Sequence, residues 1–258
     1  MAIYKGNKKV VAVYKGSTPI NKIYKGSTLV FQKSGGGGNT HLIEGTATGN
    51  FDLKINGQTI PITPDADGKW FYDTDEKITS LDSAFYFGLE VTSVDLSNLD
   101  LTGISTDSMF YFASKITSIK FNNTKSMKLV DVFSMFRSCS SLVSLDLSNW
   151  NTSSLTTADH LFSSCESLTS INISSFDTSS LKVANYLFGF CSKLVSLDLS
   201  NFDMSNATSY DNMFYNCSSL STIKCKQAFK DWCITNQDKI KLPTAMREGG
   251  SGTWEIIV

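Results

Sequence analysis

Apolar and polar positions recur along most of the chain in one fixed phase. Five segments begin alike: "VTSVDLSNLD" at Val91, "ITSIKFNNTK" at Ile116, "LVSLDLSNWN" at Leu142, "LTSINISSFD" at Leu168 and "LVSLDLSNFD" at Leu194, with a shorter sixth, "LSTIKCK", at Leu220. Their starts lie 25, 26, 26, 26 and 26 residues apart. Six positions ahead of each start stands a phenylalanine, giving the column Phe85, Phe110, Phe136, Phe162, Phe188 and Phe214. Leu142, Leu145 and Leu147 have the spacing L-x-x-L-x-L, whose last three residues alternate in, out, in as a short strand does. A Ser/Asn/Thr/Asp-rich turn follows, as in "SNWNTSS", and then a stretch such as "TTADHLFSSCESL", where Phe162 and Cys165, three apart, suit one or two helical turns. One unit cannot bury its apolar face alone. Six stacked at the roughly 4.8 Å spacing of paired strands are expected to form a continuous parallel sheet with a phenylalanine spine.

This unit, with "LDLSNW" or "LDLSNF" followed by "MF" or "LF" and a cysteine three residues on, resembles the BspA-like leucine-rich repeats of bacterial and phage surface proteins over roughly residues 78–226. The resemblance implies the α/β class: a leucine-rich-repeat solenoid with a parallel β-sheet and short helical turns. It departs from the general pattern where many families place asparagine after the strand, since Leu99, Thr124, Trp150, Phe176 and Phe202 stand there. Their register with Leu99 predicts buried rings, not a sugar-stacking platform.

The flanks have different patterns. In residues 1–33 a ten-residue unit repeats, with Tyr-Lys-Gly at Tyr4, Tyr14 and Tyr24 followed by polar and then apolar positions. Gly6, Gly16 and Gly26 fall where a turn uses positive φ, and Pro19 fits an edge or a strand start, so short strands joined by tight turns are expected. So small a meander must pack on a partner. Residues 34–38 form a glycine linker. Residues 39–77 hold the hairpin signals Asn56-Gly57 and Asp67-Gly68 and are expected to cap the open N-terminal edge. Residues 227–258 are expected to cap the other end, with a helix through Ala228, Phe229 and Trp232 and a last strand from Thr253.

Composition adds a charge contrast. With 41% apolar and 12% aromatic residues the chain can bury a large core, and its formal charge is only −1. Yet residues 1–33 carry seven lysines and no acid. Those lysines alternate with apolar residues and come without arginine, so nucleic acid is not the expected partner. No segment has the roughly 18 apolar residues a membrane span needs. The start lacks the apolar centre of an export signal, which favours a virion component assembled in the bacterial cytoplasm over a bacterial cell-surface adhesin.

Reactive chemistry finds little support. Cys139, Cys165, Cys191 and Cys217 share one column, with Gly88 and Ala113 at the same place in earlier units, and read as buried free thiols. His160 follows Asp159, but neighbours on a helix do not face each other. The stretch from Asp65 to Glu76 has glycine at its fourth place instead of its sixth and reads as a turn, not a calcium loop. No phosphate-binding glycine loop occurs. No catalytic residue, cofactor or metal is expected.

What remains is surface. The outward strand columns run Ser93, Ser118, Ser144, Ser170, Ser196, Thr222; then Asp95, Lys120, Asp146, Asn172, Asp198, Lys224; then Ser97, Asn122, Ser148, Ser174, Ser200, Lys226. Solubility and ligand contact explain these columns equally well. The ligand reading selects Ser144, Asp146, Ser148, Ser170, Asn172, Ser196 and Asp198, whose mixed donors and acceptors suit sugar hydroxyls or a polar protein surface. Tyr111, Phe112, Tyr186, Phe190, Tyr210 and Tyr215 break register and are candidate exposed contacts. Tandem Tyr-Lys-Gly units resemble N-terminal segments of phage tail and virion proteins, which implies an attachment role for Tyr4, Lys5, Tyr14, Lys15, Tyr24 and Lys25. The sequence therefore reads as a non-enzymatic phage virion or tail-associated protein. It docks through residues 1–33 on a virion or other surface-assembly protein and meets a host-surface glycan or protein through the repeats. A second copy of the chain is a further partner to test, and membrane insertion is not expected. A bacterial surface adhesin and a carbohydrate-active enzyme are the competing readings.

Overall fold

A computed structural model describes residues 42–74, 76–121, 127–129 and 132–257, together with four strands nearer the start. Those strands are β1 (Tyr14–Lys15), β2 (Thr18–Pro19), β3 (Lys22–Lys25) and β4 (Thr28–Gln32). They form two antiparallel pairs, with Tyr14 opposite Pro19 and Tyr24 opposite Leu29. Of the anchor candidates, Tyr14, Lys15, Tyr24 and Lys25 lie on these strands; Tyr4, Lys5 and the three glycines lie outside the described residues.

Next come β5 (Ile43–Ala47), β6 (Phe51–Ile55), β7 (Gln58–Ile62) and β8 (Lys69–Tyr72). β6 and β7 make the hairpin that Asn56-Gly57 predicts, with φ of 50° and 74° at the two turn residues, the left-handed backbone such a turn requires. The Asn56 side chain then ties the hairpin to the first repeat. Its Oδ1 accepts the amides of Thr79 (2.8 Å) and Ser80 (3.0 Å), and its Nδ2 donates to the Lys77 carbonyl (2.9 Å). The Asp65–Lys69 segment is a turn closed by the Asp65 carboxylate, which accepts the amides of Asp67 and Lys69, both at 2.9 Å.

The repeat region contributes β9 (Val91–Asp95), β10 (Ser118–Lys120), β11 (Met127–Lys128), β12 (Ser144–Asp146), β13 (Trp150–Asn151), β14 (Ser170–Asn172), β15 (Ser196–Asp198) and β16 (Thr222–Lys226). The chain ends with the helix α1 (Gln227–Thr235), a 3-10 turn (Thr244–Met246) and β17 (Thr253–Ile257). β5 joins the first repeat to the flank, antiparallel to β8 on one edge and to β9 on the other. Glycine is required at Gly45, since a Cβ there would collide with the Ser93 carbonyl and the Trp70 ring.

The expected α/β leucine-rich-repeat solenoid is overturned. The molecule is β-rich, and among its described residues the only helices are the nine-residue α1 and the three-residue 3-10 turn, both after the last repeat. Nor do the described residues form one continuous parallel sheet. The described strands form seven separate sheets of two to four strands, because most repeat strands are three residues long or shorter and carry the ladder across one junction at a time. Register inside the parallel pairs does follow the sequence columns, with Ser118 opposite Ser93, Ser144 opposite Ser170 and Ser196 opposite Thr222.

The stretches expected as helical turns are non-helical for a definite reason. Residues two before and two after each column phenylalanine have positive φ: Ser83 and Phe87 at 56° and 52°, Ser108 and Phe112 at 53° and 59°, His160 and Ser164 at 57° and 61°. A helix needs negative φ throughout and amides bonded four residues back. Here the phenylalanine amides instead reach the next unit: Phe85 to Met109 O (2.7 Å), Phe110 to Met135 O (2.9 Å), Phe136 to Leu161 O (3.0 Å), Phe162 to Leu187 O (3.0 Å) and Phe188 to Met213 O (2.9 Å). Amides between them, such as Ala84 to Leu81 O and Tyr86 to Ser83 O, close local turns.

Between strand side and turn side runs the core. The six column phenylalanines are fully buried and stack face to face, with centroids 5.1, 5.6, 5.8, 5.6 and 5.8 Å apart and rings within 14° of parallel. Phe51 and Trp70 close the Phe85 end at 6.3 and 5.8 Å. At the other end Phe214 bonds to Ile240 O (2.8 Å), and β17 runs parallel to β16. Trp150, Phe176 and Phe202 are buried as their register predicts, Trp150 stacking on Phe176 at 6.1 Å.

All six cysteines are free and buried. The four in the column donate their S–H groups to phenylalanine carbonyls of the preceding unit, Cys139 to Phe110 at 3.2 Å and Cys217 to Phe188 at 2.9 Å. Burial pushes the Cys217 thiol up to about 12, so it stays neutral and unreactive.

Candidate functional site

Two surfaces compete for function. On the strand side, Ser144 and Asp146 of β12 meet Ser170 and Asn172 of β14 in register, while Ser196 and Asp198 sit on β15 beside β16. Ser118, Ser144, Ser170 and Ser196 of the first column are exposed, while Ser93 is half-buried against Thr46, and the acceptor column is largely engaged by its own unit. Asp146 accepts the Ser148 amide at 3.1 Å, Asn172 accepts the Ser174 hydroxyl at 2.8 Å, and Asp198 accepts the Ser200 amide at 3.1 Å and its hydroxyl. Asp95 does the same with Ser97. The loop beyond repeats the device, Asp177 with Ser179 at 3.0 Å and Asp203 with Ser205 at 2.9 Å. These are Asx turns, in which a short acceptor bonds backbone two residues on. The signal, Asp or Asn two ahead of Ser, was in the sequence.

Cross-unit charges engage more of this face. Lys224 Nζ lies 2.8 Å from Asp198 and Lys120 Nζ 3.4 Å from Asp95. Partial burial alone would raise the carboxyls of Asp198 and Asp95; hydrogen bonds from lysine and serine outweigh it and hold both below the usual carboxylate range. Asp177 is lowered chiefly by the hydrogen bonds from Ser179.

The turn side differs. Tyr86 stacks on Tyr111 (5.1 Å, 15°) and Phe87 on Phe112 (4.9 Å, 4°), while Tyr86 meets Phe87 edge-on at 4.7 Å. Lys54 lies over Tyr86 at 5.6 Å and Arg137 over Tyr111 at 5.5 Å, so cations close both ends of the tyrosine pair. Tyr86 and Phe87 remain 42% and 49% exposed. Phe87, Phe112 and Phe190 all sit in left-handed backbone, where the other units place Ser138, Ser164 and Asn216. For a bulky residue that conformation costs roughly 1–2 kcal/mol. Sequence reasoning found Tyr111 and Phe112 but missed Tyr86 and Phe87; the signal was the tripeptide Phe-Tyr-Phe, present at Phe85–Phe87 and again at Phe110–Phe112.

Tyr186 belongs to a second cluster, stacked on His160 at 5.0 Å, near-parallel to Phe190 at 6.3 Å and flanked by Tyr215. Tyr210 is not part of it: its ring packs on Trp232 at 5.0 Å beneath Lys239, and its hydroxyl hydrogen-bonds Asn236 at 3.1 Å. His160 corrects an expectation. Its left-handed backbone brings Nδ1 to 3.1 Å from Asp159 Oδ2, where a helix would have kept the two apart. The contact lacks hydrogen-bond alignment, and Nδ1 and Asp159 Oδ1 are both buried without a hydrogen-bond partner. Among the described residues no cluster of His, Cys, Asp and Glu is placed to hold a metal, and no helix is long and apolar enough to cross a membrane.

No curated protein and no solved structure matches the chain. Residues 104–232, half of the chain, match a family described as "Mycoplasma protein of unknown function, DUF285", and the protein belongs to that family.

Proposed function

We propose that this is a non-enzymatic binding protein of a phage particle, docked through residues 1–33 and presenting its repeat units to a host-surface glycan or protein. The observation that carries the reading is the Phe87–Phe112 stack. Phe87 is held 49% exposed and Phe112 half-buried in left-handed backbone, a conformation that costs a bulky residue about 1–2 kcal/mol, and a recognition role offsets that cost. The turn side is then the recognition surface, while much of the strand side's acceptor column is engaged in its own turns and ion pairs. The basic Tyr-Lys-Gly strands, set apart by four glycines, supply the docking segment.

Labelled full-length protein is expected to bind both particles and host cells, and a 39–258 fragment cells only. Replacing Phe87 and Phe112 together by serine is expected to abolish cell binding without loss of folding. Protein found in a cell-envelope fraction and missing from purified particles would instead favour the adhesin. Release of reducing sugar from host glycans would establish an enzyme.

A further inference from the structure

We propose that the C-terminal cap carries a saccharide-binding cleft, separate from the aromatic turn side. The cleft, about 640 Å³, opens between α1, the loop from Arg247 to Gly252 and the start of β17, within the roughly 300–1,000 Å³ of small-ligand sites. Its aromatic element is Trp254. The indole N–H is committed to the Met246 carbonyl at 3.2 Å, which holds the ring in place, and Lys230, itself part of the lining, lies over the ring with its ammonium 5.9 Å from the centroid. A flexible lysine is a displaceable cover, and once moved aside it brings an ammonium donor to whatever stacks there.

One wall is bare backbone. Gly249 has φ +74° and open space where a side chain would stand, and a Cβ at Gly252 would lie 2.6 Å from the Ala245 carbonyl oxygen, so this loop presses on the 3-10 turn and keeps the cleft unfilled. The rim is polar and balanced: Lys230 and Arg247 against Asp231 and Glu248. Two of these groups are already oriented, Asp231 by the Gln227 amide at 2.7 Å and Arg247 by Asp238 at 2.9 Å. Balanced charge favours neither a phosphate nor a cation. Planar donors and acceptors around an aromatic face match a neutral ligand with hydroxyls along its edge and C–H bonds on its face, which is a hexose. The cleft is thus a second site, apart from the turn-side surface of the proposed function, and it stands or falls independently of that surface.

The test uses the full chain and the methyl glycosides of glucose, galactose, mannose and N-acetylglucosamine. Saturation-transfer NMR is expected to show saturable binding of at least one, weakened about tenfold or more by Trp254→Ala and by Glu248→Gln and unchanged by Phe87→Ser. Transfer to none of the four, or equal transfer in both cleft variants, overturns the cleft. If Trp254→Ala fails to fold, Lys230→Ala joins Glu248→Gln in deciding. Cell binding separates the two ideas: a chain that binds host cells but no glycoside loses the cleft and keeps the recognition reading. A chain that takes a glycoside but binds no cells loses the recognition reading and keeps the cleft.

Discussion

On the strand side each Asp or Asn is answered by the serine two residues on, and lysines from the next unit take up Asp95 and Asp198. On the turn side three units place a phenylalanine two residues after the spine in left-handed backbone, Phe87, Phe112 and Phe190, and leave it part-exposed, while serine or asparagine fills that position in the other three. The same unit thus spends its polar groups on itself along one side and holds apolar surface open along the other. A surface that satisfies its own hydrogen bonds has little to offer a ligand; one that keeps exposed rings at a conformational cost has a use for them.

The comparison is broken most directly at the spine the two sides share. Phe162→Ala removes a ring lying 5.8 Å from Phe136 and 5.6 Å from Phe188, and is expected to cost about 3–5 kcal/mol in urea denaturation; a loss below about 1 kcal/mol would mean the column is not one continuous core. Asn56→Ala strips the hairpin of its ties to Lys77, Thr79 and Ser80 and leaves alanine at positive φ. A loss of about 2 kcal/mol is expected from the same measurement. Phe87→Ser sharpens the contrast, because serine keeps the left-handed backbone and only part-exposed ring contacts are lost, so stability should fall by no more than about 1 kcal/mol. A clear destabilisation would show that the rings serve the fold.

The smallest effect concerns acid. Asp95, Asp177 and Asp198 have folded-state carboxyls lowered below their ordinary values. Their contribution is therefore present above the unfolded carboxylate range and is lost as pH falls through the folded values. Melting temperature is expected to hold from neutral pH down to that range and then drop. Asp198→Asn should reduce the accompanying loss of unfolding free energy by only a few tenths of a kcal/mol, since its pair with Lys224 is substantially exposed and screened. A large change would make the strand side more than a self-satisfied surface.

Much of the stack was legible from residue columns. The phenylalanine spine, the strand register, the buried Trp150 column and the free thiols each depend on one residue type recurring in phase, which the sequence displays directly. The helical turns were misread because Phe162 and Cys165, three apart, suit a helix and a chain of tight turns equally well. What separates the two is where the amides go, and that is settled by the next unit. His160 and Asp159 were misjudged for the same reason. Tyr86 and Phe87 were overlooked although the Phe-Tyr-Phe tripeptide repeats. Nothing in the spacing of Lys230, Arg247 and Trp254 along the chain announced that the cap would gather them around one cleft.

By itself, then, the sequence determined which residues share a column, because a periodic chain that stacks must bring equivalent positions together. Only the tertiary structure decided what backbone joins them. Cross-unit hydrogen bonds and parallel phenylalanine rings hold residues such as Phe87 in a conformation their local preferences oppose, and no local pattern can reveal a preference that neighbouring units override.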